Sequence, residues 1–125
     1  MNKYKVSSMT PFIPSKDFVL SKEFYEDIGF SKVAEKENAI LYEVDGFGFW
    51  LQDYYVKVWA DNCMLCLYVD NIGLWWGQIK DIVQKTKYKE HVNVFSEPHE
   101  QEGSIMMQFS DPSGVLWHVR EDKIV

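Results

Sequence analysis

Two spacings of apolar residues recur along the chain in the same order twice. An apolar segment over 7–14 precedes a stretch, 18–28, whose apolar positions fall three to four residues apart, the spacing of an amphipathic helix. Alternation of apolar and polar residues then predicts strands over 30–35, 39–44 and 47–55. The first half therefore predicts one strand, one helix and three further strands.

The second half repeats this order. A strand over 63–69 is followed by a helix from Ile72 to Val83, and then by three more strands, with a polar, acidic loop predicted over 96–103. Neither half can bury both faces of its own sheet, so the two should pack together. The sequence thus predicts a single α+β domain over 1–125, with modules at about 7–55 and 63–121. The last three strands are predicted over 91–95, 104–109 and 115–121.

Capping and turn residues mark the boundaries of these elements. Asp17 stands where the first helix needs an N-cap, and Asp70 or Asn71 stands where the second needs one. Gly29 is placed to end the first helix. Asp45-Gly46 is a strong signal for a two-residue hairpin turn between two of the strands.

Composition narrows the class of protein. Hydrophobic residues make up 46% and charged residues 26%, as in an ordinary globular domain, but the aromatic share of 16% exceeds what one small core usually absorbs. Some rings should therefore line a cavity or an interface. A net charge of −6 without a Lys/Arg cluster argues against nucleic acid and anionic membranes, and favours a neutral or cationic small ligand.

Location and redox state follow from the same inspection. The chain has no apolar run of transmembrane length and no secretory signal, which predicts a cytoplasmic protein with reduced thiols. Cys63 and Cys66 form a CxxC pair, which invites a redox or zinc interpretation. Because the pair lies in a predicted strand, its side chains should point to opposite faces, and no second pair of zinc ligands exists. A structural role is the expectation.

Two motifs at opposite ends of the chain carry a family resemblance. "PFIPSKDFVLSKEFYEDIGF" and "DPSGVLWHVRE" resemble the opening and the closing of the vicinal oxygen chelate superfamily, which includes glyoxalase I, extradiol dioxygenases and bleomycin-resistance proteins. The resemblance spans about residues 8–121. It implies two βαβββ modules whose sheets curl into a concave, partly closed barrel, with ligand bound in that cup and often between two chains of a homodimer.

Metal-using members place four ligands on four strands, and the resemblance assigns those positions here to Thr10, Trp50, Met64 and His118. Only His118 is a strong donor, and one imidazole does not hold a metal against water. The remaining histidines offer little: His99 is expected in a solvated loop, and His91 has no identifiable partner. We therefore expect no metal, no cofactor and no catalytic residue.

The alternation of strand residues then predicts what lines the cup. Residues of the same parity as the four positions face inward, whereas Leu65, Leu67, Val69, Val115, Trp117 and Val119 face the helices. The inward set is mostly aromatic, with a few polar groups to orient a ligand, and it suits a planar aromatic molecule. The predicted ligand-binding residues are Thr10, Phe12, Trp50, Gln52, Tyr54, Met64, Tyr68, Leu116 and His118.

The resulting hypothesis is a metal-free binding protein, most similar to the bleomycin-resistance branch, that sequesters an aromatic and cationic ligand such as a bleomycin-like antibiotic. One departure bears on the ligand: many relatives carry Trp-Gly before the seventh strand, where this chain has Glu102-Gly103. Two alternatives stay open. One is a lyase, transferase or dioxygenase that uses an unrecognised metal or His118 as a general base. The other is a module that acts only through a partner protein.

Overall fold

Each half of the chain builds one four-stranded mixed sheet. The computed structural model describes residues 3–122. In the first sheet the strand order is β1-β4-β3-β2, where β1 runs parallel to β4 and the other neighbours are antiparallel. The first half consists of β1 (Phe12–Pro14), α1 (Phe18–Ile28), β2 (Ser31–Lys36), β3 (Ala39–Val44) and β4 (Phe47–Gln52).

The second sheet follows the same plan. Its order is β5-β8-β7-β6, again with one parallel pair, β5 and β8. A short helix, α2 (Lys57–Asp61), connects the halves. The second half consists of β5 (Met64–Tyr68), α3 (Ile72–Val83), α4 (Thr86–Lys89), β6 (Val94–Gln101), β7 (Ser104–Ser110) and β8 (Leu116–Asp122). The predicted α+β architecture of two repeated units is therefore present.

The caps of the two long helices match the sequence signals. Asp17 Oδ1 accepts a hydrogen bond from the Leu20 amide at 3.1 Å, and Gly29 ends α1 with a φ of 118°, a left-handed conformation that glycine adopts without strain. For α3 the structure decides between the two candidates. Asn71, and not Asp70, is the N-cap, and its Oδ1 accepts from the Leu74 amide at 3.3 Å.

The predicted loop at 96–103 is wrong. Residues up to Gln101 belong to β6, and Glu102 and Gly103 form a hairpin turn with φ of 49° and 82°, much like Asp45 and Gly46 at 51° and 83°. The segment is polar because β6 is an edge strand, where Pro98 is tolerated and side chains meet solvent. His99 therefore lies exposed on a strand and not in a loop.

Other differences concern short segments. The first strand begins at Phe12, so most of the segment predicted from residue 7 onward is not strand, and β4 ends at Gln52 before the predicted end at 55. The helices α2 and α4 were not predicted, because five and four residues are too short to establish a helical period.

One hydrophobic core joins the two halves. Tyr25 of α1 contacts Phe49 of the first sheet, with ring centroids 4.8 Å apart, and Trp117 of the second, at 5.9 Å. Val115, Trp117 and Val119, which were predicted to face the helices, belong to this core. Each sheet thus turns one face to the shared core and leaves the other face open. No helix within residues 3–122 is long and apolar enough to cross a membrane.

Both cysteines are free thiols. Cys63 lies just before β5 and is half-buried, whereas Cys66 lies on that strand and is exposed on its open face. Burial, together with the nearby Asp111 carboxylate, raises the pKa of the Cys63 thiol. Because a raised pKa disfavours the reactive thiolate, this geometry agrees with a structural role for Cys63.

Candidate functional site

The open face of the first sheet carries an aromatic pair. Phe12 on β1 and Trp50 on β4 are register partners, and their rings stack with centroids 6.0 Å apart at an interplanar angle of 14°. Leu41 on β3 is the next partner in the same row. Phe12 keeps 46% of its surface exposed. The pair forms a flat aromatic surface that is partly exposed.

A lysine already occupies this aromatic surface. Lys36 Nζ, at the end of β2, lies 4.9 Å from the centroid of the Trp50 ring. This distance is typical of a cation–π contact, in which the negative face of the ring attracts the ammonium group. The first open face therefore accommodates a positive charge over the Trp50 ring.

The open face of the second sheet centres on His118. As the Gln108 amide is oriented, its Nε2 donates to His118 Nδ1 at 3.0 Å, which leaves the ring proton on Nε2. That nitrogen points to the Met64 thioether, with 2.9 Å between His118 Nε2 and Met64 Sδ. The imidazole is thus held from both sides, and its one N–H donor is directed at the Met64 thioether.

Beyond His118 the same face becomes charged. The Arg120 guanidinium lies 5.6 Å from the centroid of the Tyr68 ring and 3.2 Å from Asp122 Oδ1. Ser104 Oγ accepts from Arg120 at 2.8 Å and donates to Asp122 at 2.7 Å. The second open face is therefore polar and internally hydrogen-bonded, and Tyr68 supplies its exposed ring.

Seven of the nine predicted ligand-binding residues divide between these two faces. Trp50, Phe12 and Gln52 lie on the first sheet, whereas Met64, Tyr68, Leu116 and His118 lie on the second. The other two residues, Thr10 and Tyr54, were assigned to strands that are shorter than predicted. Thr10 precedes β1, and Tyr54 follows β4, where its ring lies 6.2 Å from that of Trp59. The parity argument therefore gives no orientation for Thr10 or Tyr54.

Two side chains that contribute to these faces were missed by sequence reasoning. Lys36 covers Trp50, and Gln108 holds His118. Both lie on strands, β2 and β7, to which the parity argument was not extended. Gln108 is the register partner of His118, so alternation along β7 would have found it.

The four positions that correspond to metal ligands in the superfamily do not fit a metal here. Thr10 and Trp50 belong to the first half of the chain, Met64 and His118 to the second, and an indole has no lone pair to donate. Within residues 3–122 no group of three or more His, Cys, Asp or Glu side chains could hold a metal ion.

A buried polar network supports both faces from behind. Tyr25 Oη donates to Asp111 Oδ2 at 2.5 Å and accepts from Trp117 Nε1 at 2.9 Å. Asp111 Oδ1 also accepts from the amides of Ser113 and Val115, which closes the turn before β8. Complete burial raises the pKa of Asp111 to about 6, although its hydrogen bonds act in the opposite direction. The same burial, with the neighbouring carboxylate, raises the pKa of Tyr25.

Solved structures of two bleomycin-related proteins and of a lactoylglutathione lyase share this fold. A bleomycin resistance determinant encoded on the transposon Tn5 aligns with a TM-score of 0.76 and 22% identity over 95% of this chain and 100% of that one. A bleomycin-binding protein complexed with bleomycin aligns with a TM-score of 0.74 and 23% identity over 94% and 99%. Lactoylglutathione lyase from Agrobacterium tumefaciens aligns with a TM-score of 0.66 and 16% identity over 94% of this chain and 95% of that one.

No family model matches the sequence, and no curated protein is detectably similar to it. The likeness in structure nevertheless covers nearly the whole chain. The protein shares the fold of these solved structures, which is the fold that the resemblance of its terminal motifs implied, and this fold occurs both in a bleomycin-binding protein and in a lactoylglutathione lyase.

Proposed function

We propose that this protein binds a small aromatic molecule, such as a bleomycin-like antibiotic, and sequesters it without chemical change. The observation that carries the proposal is the stacked pair Phe12 and Trp50 on an open sheet face. A planar ligand gains both buried apolar area and stacking energy on such a surface. The similarity to a bleomycin-binding protein supports the same class of ligand.

A positive charge on the ligand would add to this affinity. Lys36 already places an ammonium group over Trp50, and the chain carries a net charge of −6. A cationic ligand could take the place of Lys36 over the ring, while the overall field would raise its rate of association. His118, held by Gln108, would orient a polar group on the same ligand once that group takes the place of the Met64 thioether at Nε2.

The complete cup is proposed to form between two chains. Both open faces turn away from the shared core, so one chain presents its aromatic face and its His118 face on separate sheets. A second copy could bring the second sheet of one chain over the first sheet of its partner and close the curled barrel. Light scattering at micromolar concentration should give the mass of a homodimer, and a monomer mass would contradict this arrangement.

We also propose that binding needs no metal. The four superfamily ligand positions hold a single strong donor, His118, which predicts that the purified protein contains no stoichiometric Ni, Zn, Fe or Mn. Elemental analysis tests this directly. About one such ion per chain, lost on His118→Ala, would instead support a metal-dependent enzyme.

The decisive experiment is a screen of aromatic and cationic compounds, bleomycin included, monitored by tryptophan emission. Ligands that occupy the cup should quench emission in the native chain and much less in Trp50→Phe. The enzymatic alternative makes a different prediction. If a compound is turned over, and His118→Gln abolishes turnover while binding survives, His118 is a general base and the protein is an enzyme.

A further inference from the structure

Apart from the two open sheet faces, a cavity lies where the two halves of the chain meet. Its volume is about 300 Å³, and it opens between the β3–β4 hairpin of the first half and the end of β5 with the start of α3 in the second. We refer to it as the junction cavity. Its lining residues are Val44, Asp45, Phe47, Leu67, Tyr68, Val69, Asp70, Asn71, Leu74 and Trp75.

Several large, exposed apolar side chains line the junction cavity. Phe47 is 75% exposed, Leu74 73% and Tyr68 63%, and all three line this one cavity together with Trp75. Single exposed apolar residues are ordinary, but a contiguous group around a concave surface marks a binding site. Three of the four are aromatic, so the cavity presents several negative ring faces.

The charge at the rim is negative. Asp45 and Asp70 line the cavity, and neither takes part in an ion pair within residues 3–122. Arg120 lies near Tyr68, but it is paired with Asp122. The rim therefore offers two carboxylates without a cationic partner.

The helix beside the rim does not offer a place for an anion. Asn71 accepts from the Leu74 amide at the start of α3, and Glu121 Oε1 accepts from the Ile72 amide at 2.9 Å. The glutamate uses a donor that a helix N-terminus would otherwise present to a ligand, and it adds a third negative charge nearby. An anionic ligand would meet repulsion here.

We propose that the junction cavity binds an organic ammonium ion with a compact apolar body. Ring faces and carboxylates together are the chemistry that recognises quaternary and tertiary ammonium groups. This site is different from the one proposed on the open sheet faces, although the two share Tyr68. Neither Trp50 nor His118 lines this cavity, and Tyr68 is the only predicted ligand-binding residue that does.

The test compares choline with 3,3-dimethyl-1-butanol, which has the same shape without the charge, by amide NMR titration of the whole protein. Choline should shift the amides of Asp45, Phe47, Asp70 and Trp75 saturably, and the alcohol should bind at least about tenfold more weakly. Equal affinities, no saturable shift, or shifts confined to Phe12, Lys36 and Trp50 would each overturn the proposal.

Substitutions separate the charge from the rings. Asp45→Asn combined with Asp70→Asn should weaken choline binding at least about tenfold and leave alcohol binding unchanged, whereas Phe47→Ser should weaken both. Asp81→Asn and Phe95→Ser are matched controls, because they remove an exposed carboxylate and an exposed phenylalanine elsewhere. If the controls weaken choline binding as much as the cavity variants, the junction cavity is not the site.

Discussion

The two open faces carry different chemistry although their sheets follow the same plan. Each sheet has the same strand order and one parallel pair. On the first, Phe12 and Trp50 make a flat aromatic surface under Lys36. On the second, His118 is held by Gln108 and Met64 within a polar face. The first face can gain energy from contact area, and the second from the direction of hydrogen bonds.

This difference assigns separate tasks to the two faces in the proposed cup. Stacking area depends little on exact orientation, so the first face would supply affinity for many planar ligands. His118, oriented by Gln108, would select among these ligands by the hydrogen bond that its Nε2–H makes when a ligand group displaces the Met64 thioether. The comparison also identifies what the faces have in common: both rest on the core that contains Tyr25, Asp111 and Trp117.

The largest effect is expected on stability, when the buried network that supports both faces is disrupted. Asp111→Ala leaves the Ser113 and Val115 amides and the Tyr25 hydroxyl buried without their acceptor. We expect the free energy of unfolding to fall by about 3 kcal/mol, because each unsatisfied buried donor costs roughly 1–3 kcal/mol. Urea denaturation measures the change. A loss below about 1 kcal/mol would show that the network contributes little to the fold.

Removing the aromatic surface should affect binding and spare the fold. Trp50→Ala is expected to lose about 1–3 kcal/mol of binding free energy for aromatic ligands, through lost stacking area. Calorimetric titration with the strongest compound from the screen measures this loss. Trp76→Ala is the matched control, since Trp76 also lies under a lysine, with Lys80 Nζ 5.9 Å from its ring centroid, but on α3. Equal losses in both variants would place the pocket elsewhere.

The open and buried faces also differ in how well the sequence predicted them. Regular alternation in β8 placed Trp117 and Val119 in the core, because a wrong register would bury polar residues. The caps at Asp17 and Gly29 were equally predictable, since each satisfies backbone groups locally. At buried and capping positions a wrong residue would cost much stability, and there the sequence pattern is strong.

The rest of the site depends on contacts that no local pattern encodes. Lys36 reaches Trp50 across two strands, and a lysine at a strand end is ordinarily a solvated side chain. The polar segment of the edge strand β6 was predicted to be a loop, because an exposed edge strand carries no alternation of apolar and polar residues. The junction cavity combines a hairpin with a distant helix, so only the fold brings Phe47 to Trp75.

The pH dependence of stability should reveal the buried carboxyl behind both faces. Asp111 has a pKa of about 6 in the folded protein and 3.8 in its unperturbed state, so the folded state binds a proton more tightly. This contribution is fully present below about pH 4 and is lost as the pH rises through 6. Unfolding free energy should therefore increase by about 1 kcal/mol from pH 7 to pH 5, relative to Asp111→Asn. Parallel pH profiles for the two proteins would contradict the assignment.

The smallest effect concerns the histidine of the second face. His118→Gln keeps a polar side chain of similar reach, so the affinity for an aromatic ligand should stay within about tenfold of the native value. Calorimetric titration of the strongest compound from the screen measures the affinity, with His99→Gln as the control on the exposed edge strand. A loss much greater than tenfold would mean that His118, and not Trp50, dominates the binding energy, which would reverse the tasks assigned to the two faces.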